Sequence, residues 1–193
     1  MRFDIQPDLR WQMSKETKEF IKDTISVIII AFILAAILRN YVIEGREIPT
    51  GSMLPTVQLK DRVWVNRFIY RFKEPVRGDI VMFQPPETVQ STTPYLKRVI
   101  GLPGETVEMK DGKVYINGRA LQEPYVAEPL EYDYGPVVVP EGALLVLGDN
   151  RNNSYDSHEW NAWLTKDRLM GKAIAIYWPF DHFRLLPREV SFQ

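Results

Sequence analysis

The uncharged run from Thr24 to Leu38, TISVIIIAFILAAIL, sets the first limit on what this chain can become. A helix packed on a globular core carries a polar stripe, and this run has none. Extended through Arg39, Asn40, Tyr41, Val42 and Ile43 it reaches about 20 positions, the length needed to cross a bilayer. Arg39 can snorkel toward headgroups, and Tyr41 suits the interface. The competing readings are a buried core helix and a cleaved targeting segment. No small-x-small pair follows the run closely, so a retained membrane anchor over residues 24–43 is expected. Arg2, Arg10, Lys15, Lys18 and Lys22 precede it, whereas the stretch just after Ile43 carries only Arg46. The positive-inside rule then places residues 1–23 in the cytoplasm and residues 44–193 on the trans side.

Beyond the anchor the pattern changes to short β-prone segments bounded by Pro, Gly or Asp: Val63–Val65, Ile80–Phe83, Val137–Val139, Leu144–Leu147 and Ala173–Tyr177. Thr106–Lys110 and Lys113–Ile116 flank Asp111-Gly112, and Asn117-Gly118 closes the second of them, which predicts a hairpin with a type I′ turn. No helical period persists here. The expected fold is therefore mainly β, an antiparallel, coiled or partly barrelled domain, with one N-terminal transmembrane helix. Ser14 offers an N-cap for a helix in the leading segment. Pro85 to Pro94 reads as an exposed loop.

Apolar residues make up 45% of the chain, enough for a core, and the net charge of -1 with no Lys/Arg-rich block argues against nucleic acid as a partner. Without cysteine there is no disulfide, no thiolate metal site and no thiol nucleophile. The two histidines, His158 and His182, are too far apart in sequence to suggest a metal site, and no cofactor is expected.

Chemistry concentrates in three blocks. Thr50-Gly51-Ser52-Met53-Leu54-Pro55-Thr56 offers a serine beside a glycine that permits close backbone approach, with a proline fixing the turn. Tyr95-Leu96-Lys97-Arg98-Val99-Ile100-Gly101 offers a lysine among apolar neighbours. A hydroxyl is a weak nucleophile until a base takes its proton, and lysine serves as that base only where burial favours its neutral form. The pair reads as nucleophile and base. On a strand, Lys97 and Arg98 point to opposite faces, and guanidinium cannot lose its proton, so Lys97 is the base of the two. The third block is Gly148-Asp149-Asn150-Arg151-Asn152-Asn153-Ser154-Tyr155-Asp156-Ser157, an Asx-rich loop able to cap its own backbone.

In order and spacing these blocks resemble the bacterial type I signal peptidases, membrane-bound serine proteases that remove signal peptides from exported proteins. The resemblance implies a Ser52/Lys97 dyad, and an oxyanion hole formed by the Ser52 amide and the hydroxyl of Thr50, which stands where many relatives have serine. It implies that Ser154 hydrogen-bonds and orients Lys97, that Asp149 and Asp156 support the site, and that Arg98 partners Asp149. It also implies cleavage after small residues in an Ala-x-Ala pattern, with Ile48, Met53, Tyr95 and Leu96 as pocket residues. Signal peptides and membrane lipid are the implied partners, and a plasma, inner or thylakoid membrane the implied location. The chain departs from the family pattern at Asn152, a common aspartate, at His158, a common arginine, and at Asn161, a common glycine.

Three rivals stand beside this reading. A Ser52–His158–Asp triad would use the commoner partner of a nucleophilic serine. A self-cleaving Ser/Lys peptidase shares the chemistry, although such repressors carry a DNA-binding domain where this chain has its apolar run. A non-catalytic, membrane-tethered binding domain would leave Ser52 and Lys97 idle. The aromatics Trp64, Phe68, Tyr70, Phe72, Trp160, Trp163, Trp178 and Phe180 divide between core and a membrane-interface belt, which sequence does not resolve.

Overall fold

A computed structural model of the chain describes residues 14–37, 43–186 and 188–192, and it separates into two units, residues 1–40 and 41–193. Helix α1, Lys15–Ile37, is the only regular element described in the first unit. It begins as the sequence predicts, with the Thr17 amide donating to Ser14 Oγ at 3.1 Å, and it runs without a break from the charged lead into the uncharged segment. Among the described residues no helix is long and apolar enough to cross a membrane. Arg2, Arg10 and residues 38–42, which include Arg39 and Tyr41 of the expected anchor, lie outside the described residues.

The second unit is antiparallel β throughout, in agreement with the expected class. The larger sheet contains eight strands, seven of them in the order β1 (Ile43–Glu47), β2 (Arg62–Asn66), β11 (Leu169–Trp178), β3 (Ile80–Phe83), β4 (Tyr95–Gly101), β9 (Ala143–Leu147) and β10 (Leu164–Thr165). The eighth, β12 (Arg184–Leu185), pairs with β11. The smaller sheet runs β13 (Ser191–Phe192), β7 (Arg119–Gln122), β6 (Lys113–Ile116), β5 (Thr106–Lys110) and β8 (Tyr134–Val138). Strand β1 begins at Ile43, which sequence reading had placed in the anchor.

Local chemistry explains the hairpins. Asp111 and Gly112 both adopt positive φ, 51° and 74°, as a type I′ turn requires, and Lys110 faces Lys113 across it. Asn117 and Gly118 repeat the arrangement between β6 and β7. In β2 alternation is clear, with Val63 and Val65 buried while Trp64 stays partly exposed and stacks on Tyr177. Strand β3 lies between β11 and β4 and is buried on both faces, Ile80 and Met82 in one apolar cluster, Val81 and Phe83 in another. A third cluster packs the two sheets together through Ile100, Leu145 and Leu147 against Val107, Met109 and Ile116. Register shifts along β11, between Leu169 and Gly171, Ala173 and Ala175, and Ile176 and Trp178, bend and twist the sheet where it crosses β2 and β3.

One expectation needs correction. Residues 85–94 do form a loop, but Val89 turns inward and packs with Phe83 and Trp160, because an apolar side chain beside a cluster gains more from burial than the loop loses. The aromatics also divide. Trp160 is core, whereas Phe72, Trp178 and Phe180 are exposed.

Candidate functional site

The first block leaves β1 through Ile48 and Pro49 and turns at Thr50 to Ser52. The Leu54 amide donates to Gly51 O and the Val57 amide to Met53 O, while Met53 and Val57 bury their side chains in the core. Anchoring on both sides of Ser52 holds its hydroxyl at a fixed place. Thr50 Oγ1 stands 3.4 Å from Ser52 Oγ.

The second block is β4, central in the larger sheet. Val81 faces Lys97 and Ile80 faces Arg98 across the β3 ladder, so the two cations project to opposite faces. Both faces are covered, and both cations are buried, Lys97 at 4% exposure and Arg98 at 1%. Their solutions differ. Arg98 forks onto Asp149, Nε to Oδ1 at 2.8 Å and Nη2 to Oδ2 at 2.7 Å, the bidentate geometry that makes a buried ion pair tolerable. Lys97 Nζ has no hydrogen-bond or salt-bridge partner among the described residues, and its nearest ring is Tyr95, 5.7 Å from the centroid. Desolvation pushes its pKa down to about 8, with the fields of Asp156 and Asp149 opposing that shift.

The third block lies directly against the first. The Asn150 amide donates to Ser52 O and Asn150 Nδ2 to Gly51 O, each at 3.1 Å. Ser154, expected to hydrogen-bond Lys97, makes no bond to it: its Oγ donates instead to Asp156 Oδ2 at 2.6 Å, because that buried carboxylate is the stronger acceptor within reach, and the Gly148 amide donates to the same oxygen at 2.8 Å. The other carboxylate oxygen meets His158 Nδ1 at 2.6 Å, and the imidazole stacks on Tyr132. Thr56 Oγ1 donates to Asp149 at 2.5 Å, which ties the nucleophile segment to the Arg98 pair.

One cavity of about 310 Å³ gathers much of this chemistry. Its lining includes Thr50, Ser52 and Lys97 together with Ile48, Met53, Tyr95 and Leu96, every residue expected to act as nucleophile, base, oxyanion donor or pocket wall. Met82, Thr93, Pro94, Asn153 and Tyr155 also line it, and sequence reading assigned none of them a pocket role. His158 is not among the lining residues. His182 instead bonds Asp61, 2.8 Å from Nδ1 to Oδ1. Among the described residues no group of His, Asp and Glu is placed to hold a metal ion.

Two of the three unusual positions have local explanations. Asn161 adopts φ 52°, a left-handed conformation that asparagine tolerates better than most residues other than glycine. Asn152 donates from Nδ2 to Pro129 O and accepts from the Glu131 amide, both at 2.9 Å, a pair of roles that a carboxylate could not fill. Arg151 and Glu123, which sequence reading assigned no role, form a buried bidentate pair behind the site.

Residues 21–178 match the family described as signal peptidase, peptidase S26. The chain is 45% identical over 164 residues to a probable signal peptidase I-2 of Synechocystis, covering 83% of this chain and 75% of that protein. It is 37% identical over 178 residues to signal peptidase I S of Bacillus subtilis, covering 86% and 94%. Against the thylakoidal processing peptidase 1 of Arabidopsis thaliana it is 36% identical over 157 residues, covering 77% of this chain and 46% of that protein.

Proposed function

The chain belongs to the signal peptidase family, peptidase S26, and is a serine endopeptidase of the signal peptidase I type; we propose that Ser52 is its nucleophile and Lys97 its general base. The observation that carries this assignment is a buried lysine without a counter-ion, opening on the same cavity as a half-buried serine. A lysine whose pKa is pushed down to about 8 is partly neutral near neutral pH, the state a general base requires. Neutral Lys97 takes the Ser52 proton as Oγ attacks the scissile carbonyl, then gives it to the leaving amine. The resulting acyl-enzyme is hydrolysed by a water that Lys97 deprotonates. The Ser52 amide and the Thr50 hydroxyl donate to the oxyanion, and Ser154, Asp149, Asp156 and Arg98 hold the surrounding loops.

The substrate segment lies extended beside Arg46 to Pro49 and Tyr95 to Lys97, adding main-chain hydrogen bonds as an extra strand would. Ile48, Met53, Tyr95 and Leu96 wall pockets for the small side chains of an Ala-x-Ala site. Residues 24–42 anchor the protein once in a plasma, inner or thylakoid membrane, with residues 43–193 on the trans side. Supporting this, the chain's exposed aromatics include Trp178, Phe180 and Phe183, a composition suited to the lipid interface.

Replacing Ser52 or Lys97 by alanine, singly and together, tests the dyad on preprotein cleavage by the folded protein. Each single variant is expected to lose activity as fully as the double, since the two act as one unit. Cleavage retained by Lys97→Ala but lost by His158→Ala would transfer the role to the imidazole. Alkali extraction of the full-length chain from membranes would remove the anchor from this account.

A further inference from the structure

The connection between β7 and β8, residues 123–133, contains no strand and lies outside the three motif blocks. It is held by the charges behind the site. Glu123 accepts from both terminal nitrogens of Arg151, at 2.8 and 2.7 Å, and the Tyr125 hydroxyl donates to Glu123 at 2.6 Å. The Tyr125 ring lies against Arg98, with Cζ 3.8 Å from the ring centroid, and Arg151 stands 6.0 Å from the same centroid. Arg98 in turn forks onto Asp149, which also accepts from Thr56. Two buried cations and two buried anions therefore meet around one tyrosine ring.

A guanidinium pressed on an aromatic face cannot swing through the ring, which restricts where its fork can point, and the bond from Arg98 Nη1 to Gly78 O at 3.0 Å selects one direction among those left. Here that direction is Asp149, next to Gly148 and Asn150. Those two residues belong to the loop that binds the Ser52 carbonyl and carries Ser154. We propose that Tyr125 is a positioning residue for the peptidase reaction: its ring holds Arg98 in the plane that pairs it with Asp149, and so fixes the 148–154 loop against Ser52 and beside Lys97. The inference rests on the Ser52/Lys97 assignment. The titratable groups facing Lys97 are Asp149, Asp156 and Tyr95, and those around Tyr125 are Arg98, Arg151 and Glu123. If the ring is lost, Asp149 is less fully paired with Arg98, and its negative field acts more strongly on Lys97.

The test uses the full-length protein in detergent, a preprotein substrate, and active-site titration with an inhibitor that acylates the nucleophile. Tyr125→Leu removes the ring, Tyr125→Met removes it with a longer side chain should the first variant not accumulate, and Tyr125→Phe keeps the ring while losing the bond to Glu123. Per titrated site, the ring-less variants are expected to lose about tenfold or more in kcat with KM little changed, as small misplacements of reacting groups do. Their acid limb of kcat/KM should move to higher pH, and Tyr125→Phe should restore both properties. Native kcat per site with an unmoved acid limb, or a Phe variant as impaired as the Leu variant, overturns the proposal. Failure of the underlying assignment has a different signature, namely cleavage by Ser52→Ala measured in parallel.

Discussion

Gly148→Ala isolates the contact between the third block and the nucleophile. Gly148 is not in a left-handed conformation, so its need for glycine is one of space alone. A Cβ at this position would stand 2.5 Å from Ser154 Cβ, and closer still to Ser154 Oγ and to the carbonyl oxygen of Ser52. Ordinary contact begins about 1 Å farther out, and no flexible side-chain end is available to absorb the difference. Either the Ser52 backbone or the 148–154 loop must move by about that amount. Overpacking of this kind costs about 1–3 kcal/mol of stability, which a domain of this size can survive. A 1 Å displacement of a reacting group costs on the order of 100-fold in rate. The variant should therefore remain folded by circular dichroism and urea titration, yet cleave preprotein about 100-fold more slowly per titrated active site. A folded Gly148→Ala protein with native kcat would refute the argument, because it would show that the loop accommodates a methyl group without disturbing Ser52.

The Lys97 pKa of about 8 predicts that kcat/KM falls as pH drops below that value and the base becomes protonated; an acid limb near 10 would contradict the burial argument. The same shift has a stability consequence. The unfolded chain holds this proton up to about 10.5 while the folded chain releases it near 8, so stability rises with pH across that window, and the burial cost is fully present below it. Lys97→Met should accordingly abolish cleavage while raising stability at pH 7 by up to roughly 3 kcal/mol in urea titration, and a destabilised Met variant would count against the unpaired, charged lysine. Thr50→Ser should retain activity, whereas Thr50→Val should lose about 10²-fold to 10³-fold in kcat, since only a hydroxyl can donate to the oxyanion. Unchanged turnover in the Val variant would remove Thr50 from the site.

The sequence by itself determined whatever depends on a few neighbouring residues. Asp111-Gly112 carries its turn in its own backbone preferences, Ser14 its cap, and the alternation of Val63, Trp64 and Val65 its strand face. The three blocks were also legible, because the chemistry of a lysine among apolar neighbours and of a serine after a glycine is local. The strand order was not, since β11 pairs with β2 from more than a hundred residues away and with β3 from more than eighty, and such pairing depends on which faces are buried together. Nor could sequence show that Arg98 is as buried as Lys97, which follows from β4 lying between β3 and β9 with cover on both sides. Glu123 and Tyr125 gave no signal at all, in a stretch that reads as an ordinary polar loop. Their burial comes from cations contributed by other segments, Arg98 and Arg151, and an ion pair across 28 residues leaves no pattern in the residues that flank either partner.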